Sequence, residues 1–429
     1  MIRNCLKLLF FVAVQLSCTA FVQASDVVYR SLIAPSETIR FQEIQRLSQD
    51  SQRLSRYLDS IAAAVSVHGN ASKDDRPLEA STVATFELIG RMKSAESEGI
   101  LNGFLDSDNA EVVILALSQL GKHRYVGSIE RISQLSQGVH YRERYAFRFS
   151  VVRSLIEMNH ADASERLLDL RGDLDGQLRY HVDTFLDGLE VDDFDGNPER
   201  LNLFRERMKQ EDLNQKSADA GTTPKVRLAS ASGIFSGSSE EPESLRRMRL
   251  KPQQYYGIEI HSKRILFILD HSGSMKDPWY GMTRLERAKG ELIKAVRELS
   301  GDVEFGIVCF HTRVHHWNDE LVEATEANKD LAIEFVNRLG YGDRTNTYGA
   351  LRTALDYDAD LEAVYLLTDG KPTIGELVAH QAILLDILHR NRFRHLNLNT
   401  IGVAVDGFTR QFLKRLADES GGEFRDAHQ

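Results

Sequence analysis

Asp270, Ser272 and Ser274 occupy alternate positions in Asp270-His271-Ser272-Gly273-Ser274. A carboxylate and two hydroxyls at that spacing, in a turn relaxed by Gly273, present oxygen donors and nothing softer. A second carboxylate, Asp369, stands in Leu367-Thr368-Asp369-Gly370, and Thr345 opens Thr345-Asn346-Thr347. Two carboxylates brought to about 4 Å repel by roughly 1 kcal/mol in water and about 4 kcal/mol at an effective dielectric of 20. A hard cation turns that repulsion into attraction. Oxygen donors with no Cys and no required His suit Mg²⁺ or Mn²⁺ and suit zinc poorly. Magnesium keeps several waters at about 2.0–2.1 Å, so a partly filled protein shell leaves a place for a carboxylate from outside.

Both acidic segments follow apolar runs, Ile265–Leu269 and Ala363–Leu367. Continuous apolar runs of that length read as strands buried on both faces. Val303–Phe310 and Leu396–Val405 read as further strands. Helical spacing appears over Thr283–Leu299, Leu331–Leu339, Leu377–Leu388 and Phe412–Leu416. Strands alternating with helices predict an α/β domain with a mostly parallel sheet. In open sheets of that kind ligands bind beyond the carboxyl ends of the strands, which is where Asp270 and Asp369 fall.

Asp270-His271-Ser272-Gly273-Ser274-Met275, Thr345-Asn346-Thr347-Tyr348-Gly349-Ala350-Leu351 and Leu367-Thr368-Asp369-Gly370 together resemble the three metal-site loops of a von Willebrand factor type A (vWA) domain. Thr400-Ile401-Gly402-Val403 and Leu416–Gly422 fit the same family, and the resemblance covers residues 258–429. It implies a Rossmann-like sheet flanked by helices and a metal-ion-dependent adhesion site. Carried over by residue, Ser272, Ser274 and Thr345 would offer hydroxyls, and Asp270 and Asp369 would act directly or through water. An acidic side chain of a partner would complete the shell. The second loop departs from the family's usual Gly-Gly-Thr-Asn, reading Gly342-Asp343-Arg344-Thr345-Asn346. Asp343 is then a candidate for the outer shell of the metal, and Arg344 for repelling the ion or clamping a ligand carboxylate.

His311, His315 and His316 follow the strand ending at Phe310 and suggest a hairpin beside Trp317. Without a complete ligand set they read as exposed hairpin histidines. Cys309, inside the strand, reads as core.

The sheet occupies only the end of a 429-residue chain. Residues 36–211 read as helices. Two stretches, around Leu120 and Leu155, have the form helix, polar break, helix, and the surroundings of Ile89 and Leu186 fit the same scheme. Helix pairs recurring in the thirties suggest an α-solenoid that loosely resembles HEAT-like repeats, or else an irregular helical bundle. Residues 212–257, with a Ser/Ala/Gly/Thr-rich stretch and the basic run Arg246-Arg247-Met248-Arg249, have linker composition.

Residues 1–24 read as a cleaved signal peptide: Arg3 and Lys7, an apolar run from Leu8 to Val22, then Val22-Gln23-Ala24. A retained anchor and a lipid-modified Cys18 are the alternatives. After cleavage only Cys309 remains of the three cysteines, so no internal disulfide forms. No later stretch is apolar enough to span a bilayer in the mature chain. The net charge of −10 and pI near 5.8 argue against general nucleic-acid binding. The 42% apolar content supplies real cores.

The expectation is an exported protein, in the periplasm, at the cell surface or secreted. It would grip a protein partner through a divalent cation, with no catalysis. Alternatives are a metal-dependent hydrolase or phosphatase using Asp270, and a structural vWA domain without an ion. Against the first, Ser272 stands where an aspartyl phosphatase normally has its second Asp, and neither a Gly-x-Ser-x-Gly elbow nor a phosphate-cradling glycine loop is present.

Overall fold

The computed structural model describes residues 26–71, 77–221 and 253–427. The signal-peptide reading, Cys18 and most of the expected linker lie outside them. Two compact units emerge. One holds the described residues up to Arg142 together with Phe147–Arg166; the other holds Glu143–Ala146 and the described residues from Leu167.

The first unit is all helical. Its apolar centre is the helix Ala110–Lys122, in which Val112–Leu117 and Leu120 are all buried. Asn109 caps it, its side chain accepting from the Glu111 amide at 3.0 Å, and the helix Ala95–Phe104 begins on a Ser94/Ser97 capping box. Ile89 and Leu120 lie on the helices Ala80–Arg91 and Ala110–Lys122, and Leu155 on Tyr145–Met158. Gly121 permits a close helix crossing, since a Cβ there would stand 2.6 Å from the Cα of Ser154.

The second unit contains the helices Gly176–Asp187, where Leu186 falls, and Pro198–Gly221, followed by the α/β region. That region runs β1 (Arg264–Asp270), α1 (Arg284–Glu298), β2 (Glu304–Phe310), β3 (Val314–His316), α2 (Glu326–Arg338), α3 (Thr347–Asp356), β4 (Ala363–Thr368), α4 (His380–Asn391), β5 (Asn397–Gly402), α5 (Gly407–Ser420) and β6 (Phe424–Asp426). The sheet order is β6-β5-β4-β1-β2-β3, with Val322–Glu323 also paired to β2. Pairing is parallel except at β3 and Val322–Glu323.

Period-two alternation explains the layers. Ile265, Phe267 and Leu269 of β1 face a core shared with Leu285, Leu292 and Val296 of α1 and Val336 of α2. Leu266 and Ile268 face the opposite core, with Leu351 of α3, Ile383 of α4 and Leu413 of α5. Cys309 lies in the first core, where burial pushes its thiol up and keeps it protonated.

The helices extend differently from the apolar periodicity. α2 starts at Glu326 because the Thr325 side chain accepts from the Asn328 amide, and α5 starts at Gly407 on the cap of Asp406. α5 ends where Gly421 turns left-handed at φ 82°. α4 begins at His380, three residues beyond the expected Leu377. Polar caps set the starts of α2 and α5, which apolar spacing does not register, whereas α4 starts after Ala379 with no side-chain cap.

Helix Gly176–Asp187 is joined to the base of the sheet. Arg264, at the start of β1, reaches both Asp175 and Glu362 at 2.6 Å. Glu362, which immediately precedes β4, is fully buried and accepts from the Gln177 amide at 2.8 Å. Burial pushes it up to about 7, against the pull of Arg264. Gly176 has φ +53°, and a Cβ there would collide with the Glu362 carboxylate. Tyr180 stacks on His261 with ring centroids 3.8 Å apart.

Candidate metal centre

β1 and β4 are sheet neighbours, but the chain leaves β1 toward β2 on one side and β4 toward β5 on the other. Their carboxyl ends therefore flank a topological switch point, where loops diverge and open a crevice. Leu269 pairs with Leu367 in register, so Asp270 stands beside Thr368. The Thr368 hydroxyl donates to Asp270 Oδ2 at 2.5 Å, and the Ser272 amide donates to Oδ1 at 2.8 Å.

The turn after β1 is held from below and from the side. Met275, fully buried, anchors the 3₁₀ turn Gly273–Lys276. The Gly273 amide donates to the Asp343 carbonyl at 2.9 Å, and a Cβ at Gly273 would lie 3.0 Å from that oxygen. Glycine thus lets the second loop cross against the first. The Gly342 amide donates to the His271 carbonyl at 2.7 Å, a second tie between the same loops.

This framework brings the hydroxyls and carboxylates together. Ser272 Oγ and Ser274 Oγ are 3.3 Å apart, and Ser274 donates to Asp369 Oδ1 at 2.7 Å. Thr345 is buried, its amide donates to Thr373 Oγ1 at 2.9 Å, and its carbonyl accepts from the Thr373 amide at 2.9 Å. A Cβ on Gly370 would meet Ser274 Oγ at 3.5 Å and Thr345 Oγ1 at 3.8 Å, so both hydroxyls border the same glycine. Asp270, Ser272, Ser274, Thr345 and Asp369 thus come from three loops to one rim of the sheet.

Asp343 and Arg344 stand differently. Both side chains are exposed. Asp343 serves the turn through its main-chain carbonyl, and the Arg344 amide donates to Thr312 Oγ1 at 3.3 Å.

Sequence reasoning missed Arg284. It is the first residue of α1, and its Nη1 donates to Asp369 Oδ2 at 2.7 Å, with Asp277 3.5 Å from its Nη2. The Thr283/Glu286 capping box was a legible sign that a helix begins there. Nothing in the spacing linked Arg284 to a carboxylate 85 residues away. Thr368 and Thr373 were missed likewise.

The electrostatics are uneven. Asp369 has a guanidinium partner, while the bonds to Asp270 come from an amide and a hydroxyl. Burial first, and the nearby Asp369 charge second, push Asp270 up to about 7. The cluster is therefore short of positive charge. Its donors are two carboxylates and three hydroxyls, the set a hard divalent ion takes.

Residues 263–426 match the family model described as von Willebrand factor type A domain. Von Willebrand factor A domain-containing protein 3B of Homo sapiens is 32% identical over 175 residues, covering 40% of this chain and 12% of that protein. Inter-alpha-trypsin inhibitor heavy chain H1 of Mesocricetus auratus is 31% identical over 150 residues, covering 32% of this chain and 16% of that protein. The chain spans less than a fifth of the length of these relatives. Among solved structures, a von Willebrand factor type A protein from Catenulispora acidiphila aligns at 22% identity and TM-score 0.33, over 39% of each chain. The segment 263–426 is a von Willebrand factor type A-like α/β domain with a mostly parallel sheet, preceded in the chain by an all-helical region.

Proposed function

We propose that this domain is a divalent-cation-dependent protein-binding module, acting outside the cytoplasm as an adhesion or scaffold element without catalysis. Asp270, Ser272, Ser274, Thr345 and Asp369 would hold Mg²⁺ or Mn²⁺, directly or through water. The ion would supply a Lewis-acidic position that an acidic group of the partner completes. The observation that carries the reading is the contact of Ser274 with Asp369, 95 residues apart, beside a buried Asp270 that lacks a charged donor.

The residues divide the work. Ser272 and Thr368 orient the Asp270 carboxyl, and Ser274 orients Asp369. The Ser274 hydroxyl donates its proton to Asp369, which leaves its oxygen lone pairs to face an ion. Arg284 limits the charge of Asp369, so the cluster holds a cation without becoming a doubly anionic void. The helical region, read as HEAT-like helix pairs, would add partner surface, and residues 1–24 would direct export. No helix among the described residues is long and apolar enough to cross a membrane.

The matches to a von Willebrand factor A domain-containing protein and to an inhibitor heavy chain support a protein-binding reading. A pull-down from the native envelope fraction tests it. A partner retained with Mg²⁺ and released by chelator is expected. Retention that ignores chelator and persists in Asp270→Asn would remove the metal from the account.

A further inference from the structure

Beside the oxygen cluster, on its β2–β3 side, lies a second group of side chains that the reading above does not use. β3 pairs antiparallel with β2 and sets His315 opposite Cys309. This hairpin brings His311 Nε2 within 3.2 Å of His315 Nε2, their rings stacked at 5.3 Å between centroids. His271, from the turn after β1, places its ring edge-on to His311 at 4.8 Å and lies 6.3 Å from the His315 ring. His316, on the opposite side of β3, packs on Tyr357 and takes no part.

The protonation pattern is informative. His271 Nδ1 faces the Gly340 carbonyl at 2.7 Å, and a carbonyl only accepts, so the proton sits on Nδ1. His271 Nε2 then carries a free lone pair. That atom is buried and makes no hydrogen bond. An outward Nδ1–H bond to a carbonyl with Nε2 left open is the arrangement that orients metal-ligating histidines. His311 Nδ1 is likewise buried without a partner. A single proton shared between His311 and His315 would satisfy their facing nitrogens and nothing else.

We propose that His271, His311 and His315 form a second metal site, separate from the oxygen cluster, for a divalent transition ion that favours imidazole, such as Zn²⁺ or Co²⁺. Two ligand nitrogens about 2.0–2.1 Å from a tetrahedral ion lie about 3.3 Å apart, and the hairpin pair stands at 3.2 Å. Among the described residues no three His, Cys, Asp or Glu side chains are placed so that they could hold an ion as they stand, so the site forms only when the rings move. The hairpin pair is the preformed half, and a rotamer change of these outer rings brings in the His271 nitrogen. Asp343 acts electrostatically on His311 and offsets part of the ion's charge, against Arg313 and Lys289. Water fills the fourth position of such a three-histidine set.

The site is coupled to the oxygen cluster by the chain itself. His271 lies between Asp270 and Ser272, and its carbonyl accepts from the Gly342 amide. Gly342 also leaves room for the His311 side chain, which any Cβ there would strike. An ion on the histidines therefore braces the loop that carries Thr345.

Cobalt titration of the chelator-stripped full chain tests this. One equivalent of Co²⁺ is expected to raise the visible ligand-field bands of a four-coordinate nitrogen site, and excess Mg²⁺ leaves them in place. The bands should vanish in the His311→Ala, His315→Ala double variant and persist in Asp270→Asn. Circular dichroism of the double variant confirms its fold, since both rings are on an outer hairpin. Bands that are absent from the wild type, survive in the double variant, or are chased by Mg²⁺ would overturn the second site. Chasing by Mg²⁺ would place the cobalt in the oxygen cluster and leave the first proposal standing.

Discussion

Arg284 and Asp369 form an ion pair at 2.7 Å, with the Asp369 side chain fully enclosed, the Arg284 side chain half-buried, and the other Asp369 oxygen held by Ser274. A guanidinium at the rim of an oxygen cluster neutralises one carboxylate, while the other, Asp270, takes its bonds from an amide and a hydroxyl.

Replacing Arg284 with Met strips the charge while keeping much of the apolar stem. A buried carboxylate left without its partner typically costs about 3–5 kcal/mol. The variant should melt well below the wild type in chelator and recover much of the loss in Mg²⁺, because the ion takes over the neutralising role. Paired thermal melts with and without Mg²⁺ measure this. An equal loss in both conditions would mean that Arg284 serves packing alone.

The titration of Asp270 links stability to pH. The group is pushed up to about 7 in the folded protein, against about 3.9 in an unfolded chain. Between those values the cation-free fold keeps a proton that the unfolded chain has released. The stability this group contributes is therefore full at low pH and is lost as pH rises from about 4 to about 7. Glu362, also pushed up to about 7, acts in the same direction. Denaturant melts of wild type against Asp270→Asn isolate the Asp270 part: the variant should gain relative stability above pH 7 in chelator. No relative gain would show that Asp270 ionises freely in the fold.

The same proton opposes the cation. Mg²⁺ affinity should rise about tenfold per pH unit below pH 7 and level off above it, with protons released into the buffer. Calorimetry in two buffers of different ionisation enthalpy reads the release directly. Binding with no proton release at pH 6 would contradict the assignment.

At the other end of the sheet, Gly176→Ala tests the joint between helix Gly176–Asp187 and Glu362. The backbone there is left-handed, which costs a residue with a Cβ about 1–2 kcal/mol, and the new methyl would also strike the buried carboxylate. Thermal denaturation should show a loss above that range. An unchanged midpoint would mean that the helix is not seated on Glu362.

The two central strands and both acidic turns were legible because a strand buried on both faces writes a continuous apolar run, and ligand-bearing turns follow its carboxyl end. The sequence alone therefore assigns Asp270 and Asp369 to one sheet edge. Helix limits were less legible, since the caps Thr325 and Asp406 are polar residues in polar stretches. Arg284 and Thr368 were invisible because their roles depend on strand order and on which rotamer reaches across a crevice. His271 was passed over for a related reason: sequence neighbours suggested His316 as the third histidine, whereas alternation along β3 turns His316 away and pairing of β1 with β2 brings His271 in.

Asp270, Ser272, Ser274, Thr345 and Asp369 are proposed to hold one hard divalent ion. Isothermal titration of the chelator-treated full chain with Mg²⁺ at pH 8, beside Asp270→Asn, addresses it most directly. A single saturable site is expected in the wild type, and it should disappear in the variant while the circular dichroism is unchanged. Saturable binding of equal affinity in both proteins would contradict it.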